Sequence, residues 1–289
     1  MAFLDEPGRL WLMDGAMGTR LLSLDLPCVA LANLRHPERV RAIHQGYAAA
    51  GAEVHLTNTF QVNPHALAAH GLDDRLEEIA RAGIAHARTT RGIVLGSVGP
   101  IMAEGQKTDF GDRESLHRTL DALDGVDGLL FETCSTPSAL SAVEYALHRV
   151  GWLESRPLLL SIAYRWANGE PHGWHGHAPE FFARHAIRHG VSALGVNCGV
   201  GMGPEEVLDV LRRYSEETDL PLFVRPNAGT PEEFARMLPR WVMAGASMVG
   251  GCCGTTDAHI GAMAESRAAL PDRGIAEIPM NDGIHLGPY

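Results

Sequence analysis

The sequence predicts an α/β fold, a (β/α)8 TIM barrel built as a single domain over residues 1–270. Three observations lead there. Short, almost wholly apolar runs recur along the chain, the form taken by parallel strands covered on both faces. A helical pattern follows each run. Most runs end in small or polar residues that a buried strand does not need, as expected where strand ends open on a barrel mouth.

The first run, 10–13, ends at Asp14-Gly15, and the second, 53–56, at Thr57-Asn58-Thr59. The third, 93–95, leads into Gly96-Ser97-Val98-Gly99-Pro100, and the fourth, 128–131, into Glu132-Thr133-Cys134. The fifth covers 158–164. The sixth, 193–196, ends at Asn197-Cys198-Gly199, the seventh, 222–224, at Arg225-Pro226-Asn227, and the eighth, 247–249, at Gly250-Gly251-Cys252-Cys253. Between them a helix is predicted over 37–50, with proline at the first helical position and a stop before Gly51. Residues 64–88 read as a helix pair broken near Gly71. Helices over 113–123, 137–150, 178–189, 204–217, 231–244 and 257–270 complete the set. A doubly wound open sheet is the rival, but no Gly-x-Gly-x-x-Gly turn follows the first strand. The tail, 271–289, has little periodicity and is expected to pack on the barrel or on a partner.

Hydrophobic residues make up 45% of the chain and charged residues 20%, enough for one large core in 289 residues. The net charge of -11 provides no electrostatic footprint for nucleic acid and repels an anionic membrane surface. No apolar run is long enough to span a bilayer. The start, Met1-Ala2-Phe3-Leu4-Asp5-Glu6-Pro7, lacks the basic and apolar segments of a signal peptide. A soluble, cytoplasmic protein is expected. The five cysteines, an odd number, argue against a disulfide framework.

Cys198 ends the sixth strand, and Cys252 and Cys253 end the eighth, so three thiolates can converge at one rim. Three protein ligands leave zinc one open tetrahedral position, the catalytic arrangement. A substrate thiol bound there loses its proton and stays nucleophilic near neutral pH. By spacing alone, small buried residues remain an equal reading, since no Cys-x-x-Cys pair is present. Cys28 and Cys134 lack comparable support. His172, His175 and His177 form a competing metal cluster, but the glycines between them and the missing carboxylate favour a substrate-covering loop. Glu132 can pair with a substrate ammonium group or, alternatively, with an arginine of a neighbouring loop. Asp14 and Asn58 are residue types that also serve as helix caps.

Asp14-Gly15-Ala16-Met17-Gly18-Thr19, Thr57-Asn58-Thr59-Phe60, Gly96-Ser97-Val98-Gly99-Pro100, Glu132-Thr133, Val196-Asn197-Cys198, Pro226-Asn227-Ala228-Gly229 and Gly250-Gly251-Cys252-Cys253-Gly254-Thr255-Thr256 together resemble the homocysteine S-methyltransferase family, in order over residues 10 to 265. The resemblance implies Zn2+ on Cys198, Cys252 and Cys253. It implies that Glu132 holds the amino group of homocysteine, that Asp14 with the Gly15-Ala16 backbone helps seat the amino acid, and that Asn58, Thr59 and Asn197 are pocket positions. The implied activity is methionine biosynthesis, by methyl transfer to the homocysteine thiol from a small sulfonium or quaternary ammonium donor. Two alternatives stay open: a homocysteine-binding subunit that accepts methyl from a separate corrinoid protein, and a non-catalytic zinc or thiol sensor. A homo-oligomer also stays open. The first and sixth of these segments resemble the methionine synthase module most, although a chain this long has no room for folate or cobalamin modules. The segment after Gly99-Pro100 is short beside that of the stand-alone enzymes.

Overall fold

The ring of eight parallel strands closes as the alternation predicts. The structure, a computed structural model, describes residues 8–103, 106–109, 113–148 and 156–270, together with residues 3, 4 and 6. The strands are β1 (Trp11–Leu12), β2 (Val54–Leu56), β3 (Ile93–Val98), β4 (Gly128–Cys134), β5 (Leu158–Ala167), β6 (Ala193–Val200), β7 (Leu222–Arg225) and β8 (Ala246–Val249). Their spatial order is β1-β8-β7-β6-β5-β4-β3-β2, all parallel. A single parallel bridge, Met13 to Val54, closes β1 onto β2.

Among the described residues, eight helices of ten residues or more surround the ring: α1 (Pro37–Ala49), α2 (Leu76–Ala87), α3 (Arg113–Ala122), α4 (Pro137–His148), α5 (Pro179–His189), α6 (Glu206–Glu217), α7 (Pro231–Met243) and α8 (Asp257–Ala268). The expected pair over 64–88 is a short helix, Pro64–Ala68, followed by α2, and Gly71 between them takes a positive φ of 65°. Proline opens α1, α5 and α7 at the first turn, where its missing N–H costs nothing. Two antiparallel excursions were not expected. Residues Ile101–Ala103 pair with Gln106–Asp109, and the end of β5 pairs with Glu170–His172. The predicted tail over 271–289 and the end of the helix over 137–150 lie outside the described residues.

Strand side chains alternate between two apolar layers. The inner layer holds Trp11 and Met13 from β1 and its end, Val54 and Leu56 from β2, and then one residue per strand: Leu95, Leu130, Leu159, Ala193, Phe223 and Met248. Phe3 packs edge-on against Trp11, with ring centroids 5.7 Å apart, and closes the lower end. A Cβ on Gly195 would lie 2.3 Å from the Phe223 ring, so that ring fills the space left by the absent side chain. The outer layer packs strand residues such as Leu12, Val94, Phe131 and Val196 against the helices. Among the described residues no helix is long and apolar enough to cross a membrane.

Candidate active site

Period two carries the strands from an apolar floor to a polar ceiling. Two residues past Leu95, Leu130, Leu159, Gly195 and Phe223 come Ser97, Glu132, Ser161, Asn197 and Arg225, all buried. They form one polar layer with two hydrogen-bonded groups, one around Glu132 and one around Asn197. Arg225 Nη1 donates to Glu132 Oε2 (3.1 Å), and Nη2 donates to Asp14 Oδ1 (3.2 Å). The Ser97 hydroxyl donates to Glu132 Oε1. The Leu56 N–H donates to Asp14 Oδ2 at 2.8 Å. Ser161 Oγ donates to Asn197 Oδ1 at 2.7 Å.

Burial pushes the Asp14 carboxyl up to about 7 and the Glu132 carboxyl above its ordinary range, with the Arg225 charge opposing the shift in both cases. One guanidinium between two buried carboxylates leaves the group one positive charge short when both are ionised. Glu132 thus meets an arginine, but from the end of β7 and shared with Asp14. The alternative reading of Asp14 and Asn58 as helix caps does not hold. Asn58 Nδ2 donates to Val29 O and Asn33 Oδ1, while the cap before Pro64 is Asn63.

The sulfurs of Cys198, Cys252 and Cys253 all lie within 4.8 Å of one another. The segment after β8 is pinned to the segment after β7. The Cys252 N–H donates to Pro226 O (2.8 Å), and the Ala228 N–H donates to Cys253 O (2.9 Å). Thr255 Oγ1 donates to Cys252 O (2.7 Å) and accepts the Ala16 N–H (3.0 Å), which ties the first rim segment to the thiols. Gly15 fits there because a Cβ would lie 2.7 Å from Thr255 Oγ1 and 2.8 Å from the Tyr47 ring. Gly199, at φ +119°, lets the chain turn past the Tyr164 carbonyl directly after Cys198. The sulfurs hold protons unequally: hydrogen bonds with Cys198 and Cys252 hold the Cys253 thiol well below its ordinary range, while the same contacts push Cys198 up.

Asn197 stands behind this trio. Its Nδ2 donates to Thr133 Oγ1 (3.0 Å) and lies 3.4 Å from Cys198 Sγ and 4.0 Å from Cys252 Sγ. Its Oδ1 accepts the Thr133 N–H at 3.2 Å. Both bonds hold Thr133 at φ +63°, an uncommon conformation for a β-branched residue, where the β4–β5 register shifts between Phe131 and Cys134.

Thiols and carboxylate line one cavity of about 390 Å3. Gly15, Ala16, Asn58, Glu132, Arg225, Cys198, Cys252 and Cys253 face it, with Met17, Leu22, Val29 and Phe60 as an apolar wall. Asp14, Thr59 and Asn197 stand behind that lining; Thr59 Oγ1 donates to Ser97 O at 2.8 Å. Arg225, Ser97 and Ser161 were not singled out as site residues from the sequence, though the two-residue step past each inner apolar residue marks them.

The remaining candidates lie elsewhere. Cys28 and Cys134 are buried in apolar clusters. His177 stacks on Phe181 with ring centroids 4.0 Å apart, while His175 is exposed. Among the described residues, two groups bring three metal-ligating atoms within 4.8 Å of one another, and neither includes this loop: the cysteine trio, and Asp14 with His44 and His55.

The profile of the homocysteine S-methyltransferase family matches residues 11–267. The methionine synthase of Mycobacterium tuberculosis is 31% identical over 96% of this chain, and the match covers 26% of that protein. The chain thus spans about a quarter of the length of the mycobacterial methionine synthases it resembles. The homocysteine S-methyltransferase of Escherichia coli is 30% identical over 91% of this chain and 96% of its own length. The crystal structure of the homocysteine methyltransferase MmuM from Escherichia coli, metallated form, superposes with a TM-score of 0.75 at 29% identity, covering 91% of this chain and 97% of that one. The chain belongs to the homocysteine S-methyltransferase family.

Proposed function

We propose that this protein methylates the thiol of homocysteine to give methionine, with zinc held by Cys198, Cys252 and Cys253. One observation carries the reading. Three sulfurs share a single cavity with Glu132, the cavity-facing member of a carboxylate pair one cation short, and a ligand with a thiol at one end and an ammonium at the other answers both. Three soft sulfur donors with an open side on that cavity suit catalytic zinc. Zinc bound there would keep a substrate thiol ionised near neutral pH.

The chain's own groups do the rest. Glu132 receives the ammonium, with Arg225 beside it and Asp14 behind, and the ammonium charge supplies the missing cation. Asn197 directs its N–H groups toward two of the sulfurs and so fixes their orientation and tempers their negative charge. Met17, Leu22, Val29 and Phe60 keep water from the thiolate and offer an apolar, partly aromatic wall to a small sulfonium or quaternary ammonium donor. Such a donor carries its own leaving group, so alignment matters more than acid catalysis. The free thiols suit a reducing, cytoplasmic setting.

A second reading, methyl acceptance from a separate corrinoid protein, is favoured by the match to one quarter of the mycobacterial methionine synthases. Assaying homocysteine methylation with a sulfonium, a betaine-type and a methylcorrinoid-protein donor separates the two. Turnover with none of them would sink both.

Glu132→Gln tests the substrate end. A charge-assisted hydrogen bond contributes roughly 1.5–3 kcal/mol, so homocysteine should bind about tenfold to a hundredfold more weakly, with zinc content unchanged. A simple alkanethiol, lacking the ammonium, should bind both proteins alike. Calorimetric titration measures both, and equal homocysteine affinities would reduce Glu132 to a structural residue.

A further inference from the structure

Every neighbouring strand pair in the ring shares at least two paired residues, except β1 and β2, which share one. Behind that seam, Asp14 after β1, His44 of α1 and His55 of β2 bring one ligating atom each within 4.8 Å of one another. His55 sits between Val54 and Leu56, which both join the inner layer, so its ring faces the helices. Neither histidine lines the active-site cavity.

Both histidines are 0% exposed, and no ring nitrogen of either makes a well-formed hydrogen bond, the Ala52 backbone giving His55 only a weak contact. A neutral imidazole carries one N–H donor and one acceptor, so two of each are left unmet in the interior. Two rings standing edge to face, with centroids 6.3 Å apart, cannot satisfy each other. Burial keeps both neutral, with pKa values pushed down to about 3 for His44 and about 4 for His55, and neutral imidazole is the form that binds metals. Asp14 Oδ1 and Oδ2 each accept one hydrogen bond and each keep a free lone pair.

We propose that Asp14, His44 and His55 form a second metal site, for a divalent first-row transition ion, that clamps β1, α1 and β2 across the seam. Two imidazoles and one carboxylate are the donor set for zinc, cobalt, nickel or iron(II) rather than for magnesium or calcium. Tetrahedral ligand atoms about 2.1 Å from one ion lie about 3.4 Å apart, so the group, now within 4.8 Å, needs to contract by about 1.4 Å at most. The site shares no ligand with the cysteine trio: its two histidines come from the helix-facing side of the barrel wall, Asp14 is common to it and to the carboxylate layer of the active site, and its role is structural.

The test uses the full chain with Cys198→Ser, Cys252→Ser and Cys253→Ser, refolded with Co2+ and freed of excess metal. Elemental analysis should find about one equivalent of cobalt. Its visible absorption should show nitrogen and oxygen ligation without thiolate charge transfer, and Tm should exceed that of the same protein refolded with chelator. Adding His44→Gln and His55→Gln should remove both the metal and the Tm difference. No retained cobalt, or cobalt that survives the histidine substitutions, overturns the proposal; a bridging water would give the first result. Should the triple serine variant fail to fold, the otherwise unmodified chain should retain one equivalent more zinc than His44→Gln/His55→Gln. Equal zinc in those two proteins overturns the proposal as well.

Discussion

Cys252→Ala should leave a folded barrel that retains no zinc at the thiol trio and methylates homocysteine at least about a thousandfold more slowly, roughly 4 kcal/mol of lost transition-state stabilisation. Two effects combine. A free thiol with a pKa near 8.5 is only a few per cent thiolate at neutral pH, and a substrate no longer anchored at its sulfur loses its alignment with the donor. Stability should change little, because the fold rests on the inner layer from Trp11 to Met248 and on the helix-facing layer, neither of which includes Cys252. Circular dichroism, zinc content of the His44→Gln/His55→Gln background and a methylation assay check the three parts. Full zinc retention in that background would show that the metal sits elsewhere, and a globally unfolded variant would make the zinc structural.

Arg225→Leu should act on the fold itself. Arg225 is 4% exposed, Asp14 2% and Glu132 8%, so the substitution strands two carboxylates in the interior. Breaking a buried pair by removing one partner costs about 3–5 kcal/mol. The pH dependence follows from the direction of the shifts. Both carboxyls already titrate above their unfolded values, Asp14 at about 7, and losing the guanidinium raises them further. At low pH both are protonated in either protein, so the deficit is smallest there. It opens as pH rises through the Asp14 value, where the parent chain ionises and the variant resists. Urea denaturation at pH 6, 7 and 8 measures it. A deficit below about 1 kcal/mol that does not change with pH would mean that Arg225 does not offset these charges.

The sequence was most legible where one physical pattern acted alone. Parallel strands covered on both faces must be apolar throughout, so all eight showed as runs, and their rim residues stood out against them. Arg225 was harder to see because a strand-ending arginine commonly reaches solvent. Only the alternation that places Phe223 inside shows that Arg225, two residues on, points into the mouth. The hairpin after β5 had a local signal in Asn168-Gly169, whose φ values of 55° and 82° are those of the tight turn that Asn-Gly favours. The apolar run before it read as a single strand and hid it. His44 and His55 were invisible for another reason. They are near in sequence, but their meeting depends on how α1 settles against the β1–β2 seam, which no periodicity encodes.

The contact between Gly195 and Phe223 governs the polar groups above it. The two positions share a fixed volume on adjacent strands, one filling what the other vacates. Gly195→Ala alone should overpack the centre, and Phe223→Leu alone should leave a void, each costing about 1–3 kcal/mol. Together they should cost less than the sum of the two, a coupling readable in a double-mutant cycle. The ceiling residues on the same strands, Asn197 and Arg225, are set in height by this fit, one beside the sulfurs and the other beside the carboxylates. The distance between the thiol trio and the carboxylate pair is therefore a dimension inherited from hydrocarbon packing one layer below. On the proposed reading, a chain that repacks its barrel centre would retune the length of ligand that spans the two ends without altering a single residue that lines the cavity.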